Sequence, residues 1–182
     1  RKHSGYAPRL RVIVPVDRTA TADEYEPAAR KLASLLGIEF CDPTTFEPHR
    51  LMYWPSCCSD SQYVYQVYDK PFCSLDGLLG MYGDWKDVTQ WPQVPGAEAM
   101  ERRRLARQED PTAKRGIIGA FCRTYGIVEA MERFIPGMYD ETATTGRYTY
   151  TGGETTGGAI VYDGGLFLYS HHSHDPCCGQ LV

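Results

Sequence analysis

A carboxylate and an arginine in the first third of the chain have the types and spacing for phosphate chemistry. Asp42 follows the short strand predicted over 38–41, and Arg50 comes directly before the apolar run 51–54. A carboxylate directly after a strand can hold a hard divalent cation, and an arginine beside it can neutralise a phosphate. Because Asp42 also precedes Pro43, where aspartate often forms a local turn, both interpretations stay open.

Two further arginines, Arg9 and Arg11, begin the run 10–16, which is rich in β-branched residues. Side chains alternate along a strand, so both guanidinium groups would lie on one face. That arrangement suits bidentate hydrogen bonds to phosphate. A solvated strand face is the alternative.

The end of the chain concentrates side chains that bind metals. Residues 171–178 contain three His, two Cys and one Asp. On a strand His172 and His174 would share a face, and with Cys177 they make a candidate zinc site. A polar strand end and turn is the alternative. A metal hydrolase built on these residues is the least favoured function, because no nucleophile or general base is placed nearby.

A third basic group stands on a helix predicted over 97–110, with arginines at 102, 103, 104 and 107. Such a run is typical of a solvated helix face, and contact with nucleic acid is the alternative. The formal net charge of −4 excludes a protein that coats nucleic acid non-specifically, since that affinity comes from Lys and Arg. A local basic surface remains compatible with this charge.

The elements that must position these groups are indicated by periodicity and capping signals. Thr21 to Glu24 has the form of a capping box, and the helix it opens should end at Gly37. Strands are predicted over 10–16, 38–41 and 62–68, an order that suggests an α/β unit. The later elements are helices over 74–82, 97–110, 116–125 and 127–134, and strands over 147–151, 158–162 and 166–169.

The predicted fold class is therefore α/β, or more broadly α+β, in three parts. A sheet with a flanking helix covers residues 1–90, a helical extension covers 91–140, and a small β-rich module covers 141–182. The boundary is placed in 85–96, where two Pro and two Trp interrupt the periodicity.

Composition and chain ends indicate an internal piece of a larger cytoplasmic enzyme. The sequence is interpreted as lacking a signal peptide, and no apolar run in it is long enough for a membrane span, so no membrane partner is expected. The seven Cys are then expected to be reduced thiols. The chain opens on Arg1 without an initiator Met and stops at Val182, and both ends are interpreted as cuts.

Several long strings of the sequence resemble one family. They are RKHS, PRLRVIVP, TADEY, DPTTFEP, RLMYWPS, GDWKD, GIIGAFC and YSHH. In this order they resemble phage and prophage primases of the archaeo-eukaryotic primase–polymerase type, found at the front of virulence-associated protein E helicases. The resemblance covers essentially the whole chain. It implies a cytoplasmic protein encoded by a phage or prophage in a bacterial host.

The resemblance also implies roles for individual residues. His3 would serve the histidine motif for the incoming nucleotide, and Asp42 would be the third metal-binding acid, for Mg²⁺ or Mn²⁺. Arg50, with Arg9 or Arg11, would face triphosphate or template. The implied function is primer synthesis from nucleoside triphosphates on single-stranded DNA, with a helicase domain downstream in the same polypeptide.

The chain departs from that family pattern at the first metal motif, because no Asp-x-Asp precedes His3. Two-metal chemistry needs carboxylates on both ions, so the isolated chain is expected to be inactive. A non-catalytic module that binds nucleic acid and couples it to a helicase is therefore the main alternative.

Overall fold

A computed structural model describes residues 9–53, 56–57, 59–60, 63–162 and 164–182. Within these residues the chain forms short helices followed by an antiparallel sheet, which confirms the α+β class. The helices are α1 (Ala22–Leu36), α2 (Leu75–Leu79), α3 (Ala97–Leu105), α4 (Gly116–Thr124) and α5 (Ile127–Phe134). The strands are β1 (Tyr139–Glu141), β2 (Arg147–Tyr150), β3 (Ala159–Tyr162) and β4 (Phe167–Ser170).

The capping box predicted for α1 is confirmed. The Thr21 hydroxyl accepts a hydrogen bond from the Glu24 amide at 3.3 Å, and the Glu24 carboxylate accepts one from the Thr21 amide at 2.8 Å. These two bonds satisfy amide groups that the first turn of a helix leaves without partners. The helix ends at Gly37, whose φ of 111° places it in the left-handed region that glycine adopts without strain.

Two small apolar cores hold α1 against the chain around it. In the first, Ala28 packs with Leu75, Leu78 and Leu79, which is why α2 forms although it has only five residues. Helix α2 begins at the Ser74 cap, as predicted for the helix 74–82, but it ends earlier, at Leu79. The second core joins Ala33, Phe46 and Val94.

The C-terminal sheet is a meander in the order β1-β2-β3-β4, with every neighbouring pair antiparallel. The last three strands confirm the prediction, and β1 was not anticipated. Met131 of α5 packs on Tyr148, Ala159 and Leu168, so this helix covers one face of the sheet. The predicted helices 97–110, 116–125 and 127–134 correspond to α3, α4 and α5, with α3 ending earlier.

The three strands predicted in the first half of the chain are wrong for the described residues. Residues 10–15 and 63–72 belong to no strand or helix, and Ile38–Phe40 forms a 3-10 helix after the turn at Gly37. The two segments are joined just beyond their ends by a parallel bridge between Val16 and Cys73. A parallel pair needs cover on both faces, and here Leu10, Val12 and their neighbours are exposed.

No helix in the described part of the chain combines the length and the apolar character needed to cross a bilayer.

Candidate nucleic-acid interface

Asp42 occupies a capping position, as the turn interpretation of the sequence expected. It precedes the 3-10 helix Pro43–Phe46, and its Oδ1 accepts hydrogen bonds from the Thr44 amide at 3.0 Å and the Thr44 hydroxyl at 2.8 Å. Across the described residues no three His, Cys, Asp or Glu side chains are grouped to hold a metal ion. The role of Asp42 as a metal ligand therefore stays a prediction.

The arginines predicted to bind nucleotide or template lie on an exposed surface. Arg11 donates a hydrogen bond from Nη1 to the carbonyl oxygen of Tyr53, which brings the segment around Arg11 against the segment after Arg50. Arg50 is half exposed, and its Nη1 lies 4.0 Å from a Glu47 carboxylate oxygen. Arg9 is exposed in the same segment as Arg11. His3 lies outside the described residues.

Tyr53 gives this surface an aromatic face. The residue is 75% exposed, and its backbone is held by the Arg11 guanidinium. Arg11, Arg50 and Tyr53 are named here the Arg11–Tyr53 surface. It combines two cations with an open ring, which is the pairing that single-stranded nucleic acid uses for phosphate contact and base stacking.

A second basic surface lies on α3 and the turn after it. Met100, Arg103, Arg104 and Arg107 line an open groove of about 320 Å³, named here the α3 groove. A neighbouring depression of about 290 Å³ shares Arg107 and is also lined by Lys114, Leu166 and Phe167. Of the basic run predicted from the sequence, Arg103, Arg104 and Arg107 therefore converge on one feature.

A relay of ring and charge contacts connects the α3 groove to α1. The Arg104 guanidinium carbon lies 5.6 Å from the centre of the Tyr169 ring, and that ring meets His171 edge-on at 4.9 Å. His171 Nδ1 lies 3.7 Å from Glu26 Oε1, and the same oxygen lies 2.8 Å from Arg30 Nη2. Burial alone would raise the pKa of Glu26, but the contacts with His171 and Arg30 outweigh it and lower the pKa.

His172, predicted as a zinc ligand, is used inside the fold. Its ring is fully buried, and Nε2 accepts hydrogen bonds from the amides of Tyr150 at 3.1 Å and Gly158 at 3.2 Å. Nδ1 lies 2.7 Å from the Thr155 hydroxyl. Since Nε2 accepts, the neutral ring carries its proton on Nδ1. Burial lowers the pKa of His172, which favours this neutral form.

The other two predicted zinc ligands have separate partners. His174 Nδ1 lies 3.1 Å from Oδ2 of the buried Asp23 of α1. Cys177 lies beside Asp175, and burial raises the pKa of its thiol, so the thiolate that zinc requires is disfavoured. His172, His174 and Cys177 therefore do not form a metal-holding group in the described structure.

Sequence reasoning missed two buried acids, of which Asp23 joins α1 to the loop between β2 and β3, and Asp175 joins the segment after β4 to β1. Asp23 accepts hydrogen bonds from the Glu154 amide at 3.0 Å, and Asp175 accepts one from the Tyr139 hydroxyl at 2.9 Å. Both carboxylates are buried. Only a third buried acid, Glu26, carried a signal in the sequence, because Arg30 lies four residues further along the predicted helix.

Comparison with known proteins gives one finding for this chain. No curated protein and no solved structure matches it. Residues 1–94, which include the Arg11–Tyr53 surface and all of α1, match the family described as VapE N-terminal domain. This match covers more than half of the 182 residues. The chain therefore belongs to the VapE N-terminal domain family.

Proposed function

We propose that this chain is the part of a phage or prophage primase–polymerase that binds single-stranded template DNA. The complete enzyme would synthesise primers from nucleoside triphosphates with Mg²⁺ or Mn²⁺, ahead of a helicase domain in the same polypeptide. Membership of the VapE N-terminal domain family supports the phage setting. The observation that carries the proposal is the Arg11–Tyr53 surface.

The contact between Arg11 and the Tyr53 carbonyl has a direct consequence for binding. It holds a cation at the backbone of a residue whose ring is open to solvent. A base stacked on such a ring gains about 1–3 kcal/mol, and the adjacent guanidinium is then in reach of a phosphate. The overall charge of −4 makes binding depend on this local surface rather than on the field of the whole chain.

Roles for the remaining predicted residues belong to the same proposal. Arg9 and Arg50 would extend phosphate contact on either side of Tyr53. His3 would bind the incoming nucleotide. Asp42 has one carboxylate oxygen engaged by Thr44, so a metal ion would use the other oxygen and would need further carboxylates from elsewhere.

Titration of fluorescein-labelled oligothymidine by fluorescence anisotropy tests the binding. We expect Tyr53→Ala to weaken binding by about 5- to 150-fold, since one stacked base is lost. Arg11→Ala should reduce the slope of log K against log salt by about 0.7, the value for one phosphate of a single strand. The matched control is Tyr65→Ala, because Tyr65 is 77% exposed on another segment.

Failure of the unaltered chain to bind at low salt would contradict the proposal. Equal losses for Tyr53→Ala and Tyr65→Ala would remove the Arg11–Tyr53 surface from it. The enzymatic half is tested by primer synthesis in a longer polypeptide that supplies an Asp-x-Asp strand. There, unchanged synthesis with Asp42→Ala would show that Asp42 is not the third metal-binding acid.

A further inference from the structure

We infer that the α3 groove is a second nucleic-acid site, which binds the phosphodiester backbone of a strand that also contacts the Arg11–Tyr53 surface. This inference rests on the proposed function and deepens it. The groove is lined by residues 100–107 and so lies outside the family match, which ends at residue 94.

The first argument is the charge of the groove. Arg103, Arg104 and Arg107 line it together, and among the residues that the structure describes none of them forms a salt bridge. Arg103 lies in α3 and Arg107 in the turn after it, so like charges meet where the helix ends. Three guanidinium groups around one open groove, with no carboxylate bound to any of them among the described residues, form a site for a polyanion, since a planar guanidinium matches phosphate geometry.

The second argument is that one arginine is held in place. Arg104 stacks over Tyr169, which is itself fixed against His171, and His171 contacts Glu26 of α1. A side chain held in this way loses less conformational entropy when it binds phosphate than a free surface arginine does. The relay also ties the groove to α1, which belongs to the family-matched part of the chain.

The third argument is the surface beside the groove. The neighbouring depression shares Arg107 and is lined by one further cation, Lys114, by one acid, Glu109, and by apolar residues that include Leu166 and Phe167. The groove therefore continues into a partly apolar surface. A single strand presents phosphates and base faces alternately, and these two surfaces suit them in turn. Double-stranded DNA keeps its base faces stacked inside, so the combination favours a single strand over a duplex.

The fourth argument concerns α3 itself. The helix has nine residues, and Leu105 is its one core residue among those whose side chains are described. A helix this short and polar is marginally stable in water. A bound polyanion would neutralise its arginines and should therefore slow amide exchange in α3.

The test compares two double variants with equal charge loss. Arg103→Gln with Arg107→Gln removes two cations of the α3 groove, and Arg115→Gln with Arg133→Gln removes two cations outside its lining. Each protein is titrated with oligothymidines of about 6 and about 20 nucleotides, of which the first falls within the range of about 4–16 nucleotides for one site and the second exceeds it. Circular dichroism of every variant checks that the fold is retained.

We expect the groove variant to bind the long strand at least tenfold more weakly, with a salt slope lower by about 1.4 for two lost phosphate contacts. The short strand should bind both variants equally, through the Arg11–Tyr53 surface. Hydrogen exchange of the unaltered protein should slow in 97–105 when the long strand is added.

Three outcomes would overturn the inference. Equal binding of the long strand by both double variants would show that the α3 groove is not a binding site. Failure of the unaltered chain to bind either strand would instead contradict the proposed function. Unchanged exchange in 97–105 on addition of the long strand also contradicts it. Finally, competition by inorganic polyphosphate as strong as that by DNA of equal charge would assign the groove to free phosphate polymers.

Discussion

The C-terminal sheet and residues 10–15 and 63–72 of the first half have similar sequence patterns but different structures. Both are rich in β-branched and aromatic residues, and both were predicted as strands. Strand β3 pairs with β4 along its whole length and with β2 at Arg147 and Tyr148. Residues 10–15 and 63–72 meet through one bridge and leave Val64, Tyr65 and Phe72 exposed.

Connectivity explains the difference. Each strand of the sheet is antiparallel to the next one in the chain, so short turns close each pair at low entropic cost. The segments at 10–15 and 63–72 are far apart in sequence and would pair in parallel, which needs a crossover and cover on both faces. A strand-like pattern alone therefore does not predict a sheet. A sheet forms here where the paired strands follow each other directly along the chain.

The largest effect should come from removing His172 from the sheet. We expect His172→Ala to lower the free energy of unfolding by about 3 kcal/mol, because the amides of Tyr150 and Gly158 lose the ring nitrogen that accepts their hydrogen bonds. Urea denaturation measures the change. His49→Ala is the control, since this exposed histidine should cost less than about 0.5 kcal/mol. Equal values would show that the buried hydrogen bonds of the sheet contribute little.

We expect an intermediate loss of stability when the pH is lowered, because the Glu24 carboxylate at the start of α1 becomes protonated. Hydrogen bonds from Arg18, and then from Thr21, lower the pKa of Glu24 to about 2, against 4.5 for the unperturbed group. The unfolded chain takes up this proton first, so stability is complete above pH 4.5 and falls as the pH approaches 2. We expect a contribution of about 1 kcal/mol, since Arg18 is partly exposed.

Urea denaturation at several pH values measures this contribution, with Glu24→Gln as the comparison. The variant should be less stable above pH 4.5 and should converge with the unaltered protein near pH 2. Parallel curves over the whole range would mean that the Glu24 carboxylate is not stabilised by its partners.

We expect the smallest effect on stability from substitutions in residues 10–15 and 63–72. Tyr65→Ala should change the free energy of unfolding by less than about 0.5 kcal/mol, because Tyr65 is 77% exposed. Thermal or urea denaturation checks this value. A loss above about 1 kcal/mol, as expected of a packed strand residue, would erase the contrast between the two regions.

Sequence reasoning located elements that depend on local signals. The Thr21 capping box, the Gly37 turn and the strands near Gly-rich turns are set by residues close in the chain, and the structure confirms them. It failed where distant residues decide, as in 10–15 and 63–72. At the candidate site it found the basic residues. It could not find Asp23 and Asp175, whose partners come from the other end of the chain or from another strand.

Because Gly158 and His172 lie so close together, the residue tolerated at one position depends on the residue at the other. A Cβ added at Gly158 would lie about 3.1 Å from three atoms of the His172 ring, tighter than side chains normally allow. Any larger residue at 158 would displace the ring that accepts the Gly158 amide. Once His172 is replaced by a small residue, the same substitution at 158 fills space instead. The fitness effect of each substitution therefore depends on the other, and the two positions should change together across related sequences.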